Sequence, residues 1–136
     1  MADRGLKRVL YSDPDDSGTV RYWYAHTIWR AAERAPVIEV ELASIELLDE
    51  VVWFDGPKGR QPTIRNVAQH AEDIINADMS YPIVMVKGGE ILDGAHRIAQ
   101  AYIEGRTSIA AAVLDEYPEP DGEVSEGEVA PAPCNQ

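Results

Sequence analysis

Between Pro82 and Leu114 the hydrophobic period changes twice, from strand to helix and back, and that confines the chain to a fold with helices laid on a sheet. Pro82-Ile-Val-Met-Val86 is a short apolar run that reads as a strand. Lys87-Gly88-Gly89-Glu90 is a glycine turn of the hairpin kind, and Glu90-Ile-Leu92 is the returning strand. Behind Asp93-Gly94-Ala95-His96-Arg97, apolar residues at Ile98, Ala99, Ala101, Tyr102 and Ile103 predict a helix, with Asp93 as a natural N-cap and Gly105 as its left-handed stop. Ser108-Ile-Ala-Ala-Ala-Val-Leu114 predicts a final strand. The class expected is α+β, a small mixed β-sheet with flanking helices.

The remaining segments divide the 136 residues into an N-terminal extension (1–35), this core (36–116) and a tail (117–136). Arg8-Val-Leu-Tyr11 and Thr19-Val-Arg-Tyr-Trp23 flank a cluster of turn formers, Ser12 to Gly18, and predict a hairpin. Ala25, Ile28, Trp29 and Ala32 follow at helical spacing. Ile38, Val40 and Leu42 alternate as in a half-buried strand, and Pro57 and Gly59 break the chain after Phe54. Ile64, Val67, Ala68, Ala71, Ile74 and Ile75 form the stripe of an amphipathic helix that Thr63 would cap. Pro118, Pro120, Pro131 and Pro133 predict that regular structure ends there, leaving an acidic, flexible tail.

Charge narrows the function classes. Twelve bases against twenty-four acids give a formal charge of -12, the reverse of the basic footprint that autonomous DNA binding needs. Seven of the acids and no base follow Leu114, which leaves twelve bases and seventeen acids, or -5, on the first 114 residues. The lone Cys134 allows no intrachain disulfide, CxxC pair or cysteine zinc cluster. With no apolar run long enough for a membrane span and no signal-peptide pattern at the start, a soluble cytoplasmic protein is expected.

Chemistry concentrates in the turn before the third helix. First-turn amides have no intrahelical acceptor and carry the positive end of the helix dipole, so the start of that helix suits phosphate. Gly94 would let an anion approach the backbone, Arg97 would grip phosphate oxygens in a fork, and His96 would donate a further hydrogen bond. Asp93 would either cap the helix or hold His96 in one tautomer. The bland alternative is a capped, exposed first turn with no ligand.

The run from Tyr81 to Leu114, with Pro-Ile-Val-Met-Val, Ile-Leu-Asp-Gly-Ala-His-Arg-Ile-Ala-Gln-Ala and Gly-Arg-Thr-Ser-Ile, resembles the ParB/sulfiredoxin superfamily, and the likeness extends over roughly residues 36–115. The resemblance implies a nucleotide site at Asp93, Gly94, Ala95, His96 and Arg97. It also implies limits. Ala95 stands where sulfiredoxins carry their catalytic cysteine, so sulfinic acid reduction is not expected. Ala95-His96 replaces the Glu-Arg of chromosome-partitioning members, and no residues are left for a helix-turn-helix module.

Small stand-alone members of that superfamily include kinases that move a phosphoryl group from ATP or ADP to a hydroxyl. The function implied is an ATP-, ADP- or CTP-dependent phosphotransferase or nucleotide hydrolase that uses Mg2+: positioning and charge neutralisation are what such a reaction asks of a protein. Asp49 and Glu50 are candidates for the catalytic base, alongside His96 on phosphate, although solvated turn acids explain the pair as well. Trp53 and its neighbour Phe54 would stack on a base or wall a pocket, with core packing as the alternative. Thr63 and Arg65 would offer a second phosphate-facing helix start, and a plain cap explains Thr63 equally. Neither His26 nor His70 is assigned to a metal, since no third ligand stands at metal spacing. Rival readings are a nucleotide-sensing or protein-binding module without turnover, its acidic tail engaging a basic partner, and a ParB-like nuclease, which the charge disfavours. Trp23, Tyr24 and Trp29 are expected to pack on the core; exposed, they would mark a homodimer interface.

Overall fold

The computed structural model describes residues 9–54, 56 and 60–132. Arg8, Pro57, Gly59, Pro133 and Cys134, all used in the sequence reading, lie outside the described residues. The chain is α+β, with three α-helices and two sheets among the described residues.

Three strands form an antiparallel sheet in the order β1 (Val9–Tyr11), β2 (Thr19–Tyr24), β7 (Gly122–Ser125). The hairpin between β1 and β2 is closed by Asp15, whose Oδ1 accepts from the Ser17 amide and hydroxyl and from the Thr19 amide. The four-stranded sheet is mixed, in the order β3 (Val37–Glu41), β6 (Ser108–Leu114), β4 (Ile83–Val86), β5 (Ile91–Asp93), with β4 and β6 parallel and the outer pairs antiparallel.

Alternation along the two central strands divides the core. Ile83 of β4 and Ile109 and Ala111 of β6 face α3 (Ala95–Ile103) and the 3-10 turns at Leu42–Ser44 and Glu46–Asp49, joining Ile98 and Ala101. Val84, Val86 and Leu114 point the other way, onto Trp23 and Ile28 of β2 and α1 (Ala25–Ala32). A strand flanked on both faces reads as continuous apolar sequence, which is why this stretch was legible. Each fully buried isoleucine, Ile28 and Ile83, contributes about 1.5–3 kcal/mol of transfer free energy.

Four expectations need correction. The tail is not devoid of regular structure: β7 pairs with β2, the Trp23 indole donates to the Pro118 carbonyl, and Asp121 accepts from the Tyr24 amide and the Thr27 hydroxyl. Strand β3 forms at an edge, with Val40 partly buried and Leu42 buried as expected, but Ile38 is exposed rather than half-buried. Helix α2 (Ile64–Ile75) forms with Thr63 accepting from the Asn66 amide as its cap, but none of its twelve residues is buried, and Ile64 keeps 91% of its surface. Finally, Asp93 is not a helix cap: it closes β5, and Gly94 occupies the N-cap position. Trp23 packs inside as expected, and among the described residues no helix is long and apolar enough to cross a membrane.

Candidate functional site

The turn into α3 is built by the core beneath it. Gly94 has φ of +120°, and a Cβ there would sit 2.5 Å from Ile83 Cγ2, so only glycine fits. The packed sheet below is by itself sufficient to demand glycine at this position. The far end of the helix has its own glycine: Gly105, at φ +74°, donates to the Tyr102 carbonyl while the Arg106 amide donates to Ala101, the two bonds of a Schellman stop.

Asp93, expected to cap the helix or orient His96, precedes the cap position, which Gly94 holds. Its Oδ2 accepts from the Trp29 indole at 2.9 Å and from Arg97 Nη2 at 3.1 Å, tying α1, β5 and α3 together. The Asp93 and Arg97 side chains keep only 11% and 18% of their surface. Arg97 Nε is buried with no hydrogen-bond partner. The carboxyl of Asp78 lies below its ordinary value, chiefly through the Ser80 hydroxyl and amide and in smaller part through the charge of Arg97. The guanidinium expected to grip phosphate is therefore engaged with an acid of the fold.

His96 turns towards α2. Its Nε2 stands 2.9 Å from His70 Nδ1 and 4.0 Å from Asp73 Oδ2. The two imidazoles lie within 18° of parallel with centroids 5.2 Å apart, and the Trp53 indole stacks over both, at 4.7 Å from His70 and 4.6 Å from His96. Ring separations and near-parallel planes of this order are those of favourable aromatic contact. Phe54 meets His70 edge-on.

Beside Trp53 opens a cleft of about 370 Å³ between the 47–54 segment and the first turns of α3. Nine of its ten lining residues are apolar, among them Trp53, Phe54, Ala95, Ile98 and Ala99, and Glu50 is the one charged group. The volume falls at the small end of the range that ligand sites occupy, and an apolar wall with few polar groups is their usual character.

The fold thus gathers Glu50, Trp53 and Ala95 at one cleft, with His96 behind the indole. It leaves Asp49 exposed and outside the cleft lining, while the Thr63 hydroxyl serves as a helix cap. Sequence reasoning missed His70 and Asp73. Their spacing of three puts both on one helical face, but only the packing of α2 against α3 brings them to His96.

Set against family models, curated proteins and solved structures, the chain matches none.

Proposed function

We propose that this chain is a nucleotide-binding domain of ParB/sulfiredoxin type, whose ligand enters the cleft between the 47–54 segment and the start of α3. The observation that carries the reading is the convergence of Glu50, Trp53, Phe54 and Ala95 on that cleft, at the first turn of the helix bearing the Asp-Gly-Ala-His-Arg motif. A base or similar flat apolar group suits the walls, and the first-turn amides of α3 suit the phosphate that follows it. The lining supplies no basic side chain. Charge on the phosphates is then met by those amides and by Mg2+ arriving with the nucleotide, an ion that keeps several waters and is held in large part by the phosphates themselves.

If there is turnover, it is phosphoryl transfer to a hydroxyl or to water, with Glu50 accepting the proton of the attacking oxygen. A second reading, a nucleotide sensor without turnover, is favoured by one observation: Arg97, the cation best suited to steady a transferring phosphoryl group, is bound to Asp93.

Thermal melting with ATP, ADP and CTP, with and without Mg2+, tests the binding. At a nucleotide concentration of 100 times Kd the stabilisation should be about 2.7 kcal/mol. Ala99→Phe, which fills the cleft, should abolish it. Release of ADP or phosphate, lost in Glu50→Gln with the thermal shift retained, identifies the enzyme; a shift without release identifies the sensor. No shift with any of the three nucleotides refutes the proposal.

A further inference from the structure

We infer that His70, Asp73 and His96 form a binding site for a divalent transition-metal ion. Each offers one ligand atom, two imidazole nitrogens and a carboxylate oxygen, and the three lie within 4.8 Å of one another. Atoms bound at 2.0–2.1 Å to one ion stand roughly 3.3 Å apart in a tetrahedral site. The observed separations, 2.9 Å between the nitrogens and 4.0 Å from His96 Nε2 to Asp73 Oδ2, bracket that value, so a small side-chain rotation closes the set.

Three features favour an ion here beyond proximity. The donors come from two helices, so their convergence is tertiary: His70 and Asp73 stand one turn apart on α2, and His96 is in the first turn of α3. Both imidazoles already lie near one plane under the Trp53 indole, which limits the rotational freedom lost on coordination. And the ligand atoms are partly buried, not spread on open surface.

The chemistry of the set narrows the cation. Imidazole nitrogen suits Zn2+, Cu2+, Ni2+ and Fe2+, whereas Mg2+ and Ca2+ prefer all-oxygen shells. Three protein ligands leave at least one coordination position open, the pattern of reactive rather than purely structural sites. Coordination needs no net proton release when both rings are neutral. One of the two facing nitrogens carries the proton of the His70–His96 hydrogen bond, and a shift of that proton to the far nitrogen of its own ring frees both lone pairs for the ion.

Binding would also cross-link α2, which buries no residue of its own, to the core-anchored α3. The inference shares the Trp53 indole with the cleft, but none of its three ligand residues lines the cleft, so the two stand or fall separately.

The test uses the full chain stripped of metal by chelation and titrated with Zn2+, and in parallel with Co2+, in the absence of nucleotide. Expected are one ion per chain, a rise in melting temperature, slowed amide exchange across residues 64–75, and visible Co2+ absorption of a low-symmetry nitrogen–oxygen site. His70→Gln and Asp73→Asn should each weaken binding at least tenfold. Both positions lie on a helix with no buried residue, so the variants should fold, and circular dichroism checks it. His26→Gln should leave affinity unchanged. Absence of a tight one-to-one ion, or equal binding by wild type and the two α2 variants, overturns the inference. Metal binding without any nucleotide-induced shift would refute the cleft reading alone, and the converse result would refute this one alone.

Discussion

Helices α2 and α3 are both amphipathic in sequence and meet at the site, yet they are held by opposite means. Helix α3 sinks Ile98 and Ala101 into the core and starts on a glycine locked over Ile83. Helix α2 leaves Ile64, Val67 and Ile75 exposed and meets α3 through His70 and Asp73. One wall of the site is thus fixed by burial and the other by a few polar and aromatic contacts. Local opening follows such differences in buried contact, so α2 is the more readily displaced side of the His70–Asp73–His96 cluster.

The largest effect should fall on the fixed wall. Gly94→Ala combines a forbidden φ with a clash against Ile83 and should cost on the order of 4 kcal/mol in urea unfolding. Asp93→Ala comes next, about 3 kcal/mol, because it strips the partner from a largely buried guanidinium and from the Trp29 indole. It should act whether or not ligand is present, which separates a structural Arg97–Asp93 pair from a phosphate clamp.

Changes on the loose wall should be smaller and local. Thr63→Ala removes the cap of α2 and should cost about 1 kcal/mol, appearing as faster amide exchange over 64–75 more than as a lower global midpoint. If it lowered the global midpoint as strongly as Asp93→Ala, the contrast between the walls would be false. Ile64→Ser, at a side chain 91% exposed, should change stability by less than about 0.5 kcal/mol.

The smallest effect concerns pH. Asp78, in the turn joining α2 to β4, is held below its ordinary value of 3.8 by the Ser80 hydroxyl and amide, with Arg97 adding to this. A lowered folded value means its stabilisation is complete above 3.8 and is lost as pH falls through that lowered value. Protection factors of the α2 amides, which remove the intrinsic pH dependence of exchange, should therefore fall on the acid side, and Asp78→Asn should flatten that dependence.

What could be read from sequence follows the same division. The period changes from Pro82 to Leu114 reveal β4, β5, α3 and β6 because those elements lie on or within the core, where burial and pattern agree. The stripe on α2 says which face is apolar but not that a neighbour covers it. Strand β7 was hidden because its Gly-Glu-Val-Ser sequence has weak strand character and gains its partners from β2, about a hundred residues earlier. At the site, Glu50, Trp53 and Ala95 were visible as chemistry-bearing residues, and the resemblance pointed to the α3 start. The Arg97–Asp93–Trp29 link and the His70–Asp73–His96 cluster were not, since each spans elements whose packing no local pattern encodes.

The most direct test is an amide-resolved NMR titration of the full chain with ATP and Mg2+. Shift changes should concentrate at residues 47–54 and in the first turns of α3, sparing the β1–β2 hairpin. Saturating nucleotide that leaves those two segments unmoved, or moves only the hairpin, would contradict the cleft as the ligand site.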